Sequence, residues 1–335
     1  MNKTINHILG LGGIAILSLS LTSGGERSHI SVKEEDFVLT NDSHFVIEND
    51  TFQFLSIEKD SAAYELLYSN NVAFWKKDIM LSSDSFLVVN QFDRQVFDVV
   101  HKNSVNKIER SQNLTTLGTL YGYRYNVPQQ IKIKFVRGRR EFFDYAVIGP
   151  KLKEAYKVFN AVGADPTIAQ LLLLIESPNN HKGVSHSGAA GHFQIMPSVA
   201  RKYGLRINSR FDERHNFARS SYAAARLVKE YCIPQAKRIC NARGIEISEE
   251  SLWFKLLALH IYNAGAGNVS IAVRHLPEVA NGNELIKRLW RTNVGAFQNS
   301  SQNYSQVCLA SYLGYKDYLN AKVIFVSFFD FSITI

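Results

Sequence analysis

The sequence predicts a mainly α-helical protein, built around a helical domain with an N-terminal segment of mixed α/β character. Two observations carry this. From about residue 138 to 320, segments with helical spacing follow one another, each ended by a glycine or proline. Before residue 137, short β-branched and aromatic runs alternate with Asn, Asp and Ser turns. With 335 residues, of which 46% are hydrophobic and 20% charged, the chain can bury a substantial core, which excludes wholesale disorder. The formal charge of +8 favours an anionic partner without naming it.

In chain order, the start reads as a leader. Lys3 precedes an apolar run from Ile8 to Leu21, then the small residues Thr22, Ser23, Gly24 and Gly25. This layout predicts a signal peptide over residues 1–24, with a retained N-terminal anchor as the alternative. The expected location is therefore outside the cytoplasm, in the periplasm or cell envelope. Residues 25–137 form a region of unknown role. Within it Phe37–Thr40, Phe45–Ile47 and Phe52–Leu55 read as short strands, and Ser85–Val100 reads as strand or helix.

A helical domain is expected over residues 138–320. Its first helix is read at Lys151–Ala161. The next starts with Asp165 as cap and Pro166 at the first helical position. Ile168, Leu171, Leu172 and Ile175 recur at offsets 0, 3, 4 and 7, and Leu173 and Leu174 widen the apolar surface around the cylinder, so this helix must be buried. It ends at Glu176-Ser177-Pro178. Further helices are read at Pro197–Tyr203, Phe217–Tyr231, Ser251–Ile261 and Asn268–His275, with Gly204 and Gly265 as stops. The apolar tail, residues 321–335, is read as a terminal strand or docking segment. Cys232 and Cys240 are either small buried apolar residues or a disulfide pair, and Cys308 is left over.

Glu176 is the first candidate for chemistry. A carboxyl directly after five apolar residues is shielded from water, and desolvation favours its protonated form near neutral pH. Downstream lie Ser185, the small residues Gly188-Ala189-Ala190-Gly191, and Gln194-Ile195-Met196-Pro197; small residues let backbone approach a ligand closely. Tyr262-Asn263 closes another apolar helix ahead of Gly265. Between Glu176 and Asp212 there is no Asp or Glu, so no second carboxylate is supplied locally. His181, His186 and His192 lack the spacing of a zinc site, and the glycine clusters do not sit in a nucleotide-binding unit. No metal or cofactor is called for. Nor is nucleic acid.

In this order the segments Ile175-Glu176-Ser177, Ser185 to Pro197, Tyr203-Gly204-Leu205, Asp212-Glu213-Arg214, Ala223-Ala224-Ala225 and Tyr262-Asn263-Ala264-Gly265 form a recognisable set. The set resembles the lysozyme-like lytic transglycosylases of glycoside hydrolase family 23, and most of all the membrane-bound lytic murein transglycosylase D group. The resemblance implies an all-helical lysozyme-like domain with a groove for peptidoglycan glycan strands. It further implies Glu176 as the single catalytic acid/base, with Ser185, Gln194, Met196, Tyr262 and Asn263 lining the sugar cleft. The reaction implied is cleavage between N-acetylmuramic acid and N-acetylglucosamine with formation of 1,6-anhydro-muramoyl ends. Two other functions are compatible with the same fold: a hydrolysing muramidase of goose-lysozyme type, or an idle peptidoglycan-binding protein. The chain departs from the family pattern at Pro178, His192, Ala266 and Ser300-Ser301, while Asn303-Tyr304 is retained. From Arg201 to Arg243 there are eleven Lys and Arg against three Asp and Glu, which suits an anionic polymer. Other cell-envelope proteins are the remaining class of partner.

Overall fold

The computed structural model describes residues 44–47, 50–53, 61–110, 114–126, 131–176 and 183–330. The expected leader, the Phe37–Thr40 strand and Pro178 lie outside the described residues. The chain divides into two compact units, Met1–Lys59 with Lys316–Ile335, and Asp60–Tyr315. In the first, β1 (His44–Ile47) and β2 (Asp50–Gln53) pair antiparallel with Phe45 opposite Phe52.

In the larger unit, α1 (Ser61–Leu67) and α2 (Asn70–Met80) precede β3 (Ser85–Asn90) and β4 (Val96–His101). Then come α3 (Lys102–Arg110), α4 (Leu114–Arg124) and β5 (Ile133–Arg137). The stretch that read as strand or helix is thus an antiparallel hairpin, and β3 is the central strand of a sheet ordered β4-β3-β5. The ambiguity has a physical cause. Val88 packs with Phe97, Tyr121 and Ile133 on one face, while Leu87 and Val89 pack with Phe74 on the other. A strand covered on both faces loses the apolar–polar alternation that identifies a strand in sequence.

After β5 the regular elements among the described residues are helices. The first, α5 (Tyr145–Val162), begins six residues before the expected Lys151, because Asp144 caps it by accepting from the Ala146 amide at 3.1 Å. Pro150 lies inside it, at the cost of the hydrogen bond its missing N–H would have made. Next is α6 (Pro166–Glu176), started as expected: Asp165 accepts from the Thr167 amide at 2.8 Å. Every residue from Ile168 to Leu174 is buried. Asp165 also pairs with the buried Lys255 ammonium at 2.7 Å.

Following α7 (Pro197–Lys202) and α8 (Phe217–Leu227), the chain does not stop at Tyr231 as expected. A π turn over Val228–Cys232 leads directly into α9 (Ile233–Asn241), the Ile233 amide reaching the Val228 carbonyl. That widened turn carries the helix to Pro234 without a break. The two helices expected on either side of Gly265 form α10 (Leu252–Arg274), kinked at Gly265 with φ 77° and ψ 149°. Then come α11 (Gly282–Leu289) and α12 (Ser300–Asp330). The strand expected in the tail is corrected here: Val323–Asp330 continues α12. Cys232, Cys240 and Cys308 are buried free thiols, so of the two readings the small buried residue holds and Cys232 and Cys240 are not bridged.

The core lies where α6 meets α5, α8, α10 and α12. Two groups of α12 bond to the α6 backbone: the Cys308 thiol to the Leu171 carbonyl at 3.4 Å, and the Ser311 hydroxyl to the Leu174 carbonyl at 2.7 Å. These bonds fix the end of α6, and so Glu176, against α12. The segment 61–137 and the helical part up to Tyr315 belong to one compact unit, Asp60–Tyr315.

Candidate active site

Glu176 is the last residue of α6, half-buried, with its Oε1 accepting the Tyr304 hydroxyl of α12 at 2.5 Å. Burial raises its carboxyl to about 7, and the hydrogen bond from Tyr304 acts in the opposite direction. The negative end of the α6 dipole lies at the same place and also disfavours a carboxylate there. A carboxyl poised near neutrality can both give and take a proton at physiological pH. Among the described residues, no second carboxylate contributes to this shift. Asp212, the next acid in the chain, is neutralised by Arg214, whose guanidinium holds its carboxyl below the usual range.

The loop after α6 is shaped by glycines and one buried cation. Val184 bridges to Ala190, and Ala190 to Ile195, so the chain doubles back twice. Ser185 holds the first reversal, its Oγ accepting the Ala189 amide at 2.9 Å. Gly188 and Gly191 have φ of 87° and 79°. A Cβ on Gly191 would come within 1.9 Å of the Arg214 carbonyl oxygen, so this position also needs a bare backbone for close approach. Arg214 is 5% exposed; its Nη1 donates to the Gly188 carbonyl at 2.6 Å and the Ile195 carbonyl at 3.0 Å. One guanidinium, its charge compensated by Asp212, thereby ties both reversals together.

The remaining expected site residues sit on this frame. Gln194 adopts φ 43°, and its side-chain amide donates to the Gly191 carbonyl at 2.9 Å, so the residue braces its own turn. Met196 is exposed where the loop passes into α7. Tyr262, half-buried on α10, donates its hydroxyl to the Phe193 carbonyl at 2.7 Å. That hydroxyl is committed to the loop. Burial and the nearby Glu176 charge together hold the Tyr262 phenol well above its ordinary range. Asn263 is exposed just ahead of the Gly265 kink.

Two positions that frame the site, Tyr304 and Arg214, stand in the motif set without a role assigned to them by the sequence. Tyr304 reads only as part of a retained Asn-Tyr pair, and nothing local shows that it reaches Glu176, 128 positions away. Arg214 carried a fainter signal, since an Asp two residues before an Arg is a pair able to satisfy itself when buried. A second polar set stands behind the site. Trp290 Nε1 donates to Ser305 Oγ at 2.7 Å, and Ser305 Oγ meets His260 Nε2 at 2.8 Å. His260 Nδ1 lies 3.0 Å from the Ser301 carbonyl, which can only accept, so that nitrogen carries a proton. Burial lowers the His260 pKa to about 4.

Residues 157–281 match the family model described as the Transglycosylase SLT domain. The match starts within α5, ends just before α11, and contains Glu176, the loop, Arg214, Tyr262 and Asn263. A domain of this kind implies peptidoglycan cleavage of the lytic transglycosylase type in general. No curated protein matches the chain.

Proposed function

We propose that this chain, which carries a transglycosylase SLT domain, is a peptidoglycan lytic transglycosylase in which Glu176 is the only catalytic acid/base. The observation that supports this most is the state of that carboxyl. It closes a buried, largely apolar helix, has its pKa raised to about 7, and bonds to Tyr304 with no other described carboxylate acting on it. Two-carboxylate glycosidases need a partner as nucleophile or base. A lone acid suits a reaction whose nucleophile comes from the substrate.

The mechanism in this reading is the one the resemblance to the family 23 lytic transglycosylases implies. Protonated Glu176 gives its proton to the oxygen linking N-acetylmuramic acid to N-acetylglucosamine, and that C–O bond breaks. The N-acetyl carbonyl oxygen of the muramoyl residue bonds to the anomeric carbon and stabilises its positive charge. Glu176, now a carboxylate, takes the proton of the C6 hydroxyl. The C6 oxygen then bonds to C1 and displaces the acetamido oxygen, closing a 1,6-anhydro ring. No water enters the product, and Glu176 regains its proton. The Tyr304 hydroxyl stabilises the carboxylate between the two steps.

Binding falls to the loop and to the elements beside it. Ser185, Gln194, Met196, Tyr262 and Asn263 form the sugar-binding set in this reading. Arg201 and Lys202 are exposed on α7, which leaves the loop directly. Stem-peptide carboxylates are their natural counterions. The Ile8–Leu21 run supports export to the periplasm or cell envelope, and the motif set supports kinship with the membrane-bound murein transglycosylase D group.

The test is digestion of purified peptidoglycan by wild type and Glu176→Gln, with mass spectrometry of the products. Anhydro-muropeptides from wild type and a loss of at least about a hundredfold in the variant are expected. Products heavier by one water would establish a hydrolysing muramidase instead. Binding without cleavage would establish an idle binding protein.

A further inference from the structure

Residues 61–137 lie outside the matched family segment, yet the Arg94 and Trp75 side chains reach from them to the helix that carries Tyr304. Arg94 sits in the turn between β3 and β4 with φ 63°, a left-handed conformation that costs a non-glycine residue free energy. Its guanidinium forks between two amide oxygens on the first turns of α12. Nη2 donates to Asn303 Oδ1 at 2.8 Å and Nη1 to Gln306 Oε1 at 3.1 Å. The same group lies over the Trp75 ring, 5.2 Å from its centroid, and Trp75 Nε1 donates to Gln306 Oε1 at 3.2 Å. Gln306 is fully buried, and Arg94 is sufficiently shielded that its pKa is lowered. A strained backbone and a desolvated cation thus converge on one contact, with Asn303 and Gln306, on the same two turns of α12 as Tyr304. On the opposite side, His260 holds the Ser301 carbonyl and Ser305 hydroxyl.

We propose that Arg94 is a positioning residue for the reaction: by bracing Asn303 and Gln306 it holds the start of α12 where the Tyr304 hydroxyl meets Glu176, so the N-terminal segment tunes an acid that the helical domain supplies. This rests on the transglycosylase reading for its kinetic consequences. Its geometric consequence stands without that reading. A lysine at 94 keeps the charge but cannot divide planar donors between two acceptors while stacking on an indole. When the brace is lost, the Tyr304 contact loosens. The carboxylate loses the Tyr304 hydroxyl as a hydrogen-bond donor, so Glu176 titrates higher and serves less well as base in the second step. The titratable groups that face Glu176 among the described residues are Tyr304 and Cys308 from α12 and Tyr262 from α10. All three are uncharged at neutral pH, so a shift at Glu176 reports the hydrogen bond.

The experiment compares full-length wild type, Arg94→Ala, Arg94→Lys, Tyr304→Phe and the Arg94→Ala/Tyr304→Phe double variant. Soluble glycan strands give kcat, KM and pH profiles, and carbon-13 NMR of labelled glutamate follows Glu176 without substrate. Arg94→Ala should raise the Glu176 midpoint in the same direction as Tyr304→Phe. It should lower kcat by roughly tenfold with KM within about twofold, as a small misplacement of a catalytic contact does. Arg94→Lys should recover part of both, and the double variant should equal Tyr304→Phe alone. Should Arg94→Ala not fold, Asn303→Ala removes one arm of the fork and is read the same way. An unmoved Glu176 midpoint, or additive losses in the double variant, would overturn the proposal. A wild type that folds but leaves glycan uncut would instead overturn the transglycosylase reading, while the NMR midpoints still decide the role of Arg94.

Discussion

Glu176 is held against the preference of its own charge, and that leaves a signature in stability as well as in activity. Its folded pKa of about 7 lies above the ordinary 4.5, so the folded chain binds this proton more tightly than the unfolded chain does. Its favourable contribution is fully present below the ordinary value and is lost as pH rises through 7. Glu176→Gln removes the ionisation while an amide oxygen still accepts from Tyr304. The variant is therefore expected to melt above wild type at pH 8, by at most about 3 kcal/mol in stability, with the difference closing near pH 4. His260 has the opposite sign. Its pKa, lowered from 6.5 to about 4, means that the unfolded chain takes up the proton first. Stability present above 6.5 should then fall by roughly 3 kcal/mol on acidification to pH 4. Urea titrations of wild type and His260→Gln at pH 7.5 and 4.5 check this, since the variant starts lower and loses less.

At the level of the element, the loop between α6 and α7 is the most demanding piece of backbone, and two glycines separate its requirements from those of an ordinary turn. Gly191, within it, and Gly204, just after α7, have nearly the same φ, 79° and 77°, but only Gly191 presses on another chain segment, with the Arg214 carbonyl 1.9 Å from where a Cβ would stand. Gly204→Ala is expected to cost about 1 kcal/mol for the left-handed conformation alone. Gly191→Ala must also displace Arg214, and should cost more than about 2 kcal/mol and most of the activity, measured as melting temperature and glycan release. Within α6, Leu172→Ala should cost about 2–5 kcal/mol through the cavity it leaves. Much of this was legible in the chain. The apolar run from Ile168 and the Asp165-Pro166 start specify α6 by themselves, because a cap and a periodicity are local properties. The glycines marked the loop for the same reason. The continuation through the π turn at Val228–Cys232 was not legible, since Pro234 normally signals a stop.

Across the whole of Asp60–Tyr315, the mixed segment and the helices share contacts that neither could satisfy alone. Trp75 and Arg94 supply the donors to Gln306; Arg139, which follows β5, bonds to the buried Asp78 of α2 at 2.6 Å, and Lys287 of α11 pairs with Glu65 of α1. A fragment starting at residue 138 leaves the Gln306 side-chain oxygen and the Arg139 guanidinium without these partners. It is expected to melt well below a fragment starting at residue 60, with one transition for the longer piece. This union was invisible in the sequence, where composition changes at 137. A change of local character marks a change in secondary structure, whereas docking depends on side chains more than two hundred positions apart. The candidate site shows the same division. Glu176, Ser185, Gln194, Met196, Tyr262 and Asn263 are carried by motifs, while Tyr304 and Arg94 acquire meaning only when α12 folds back on α6.

The most direct measurement is digestion of peptidoglycan in water enriched in oxygen-18, with high-resolution masses of the released muramoyl ends. Ring closure by the substrate's own C6 oxygen gives anhydro ends free of the label, and Glu176→Gln should abolish them. Labelled reducing ends would show that water is the nucleophile, and unchanged release by Glu176→Gln would show that another group carries the proton.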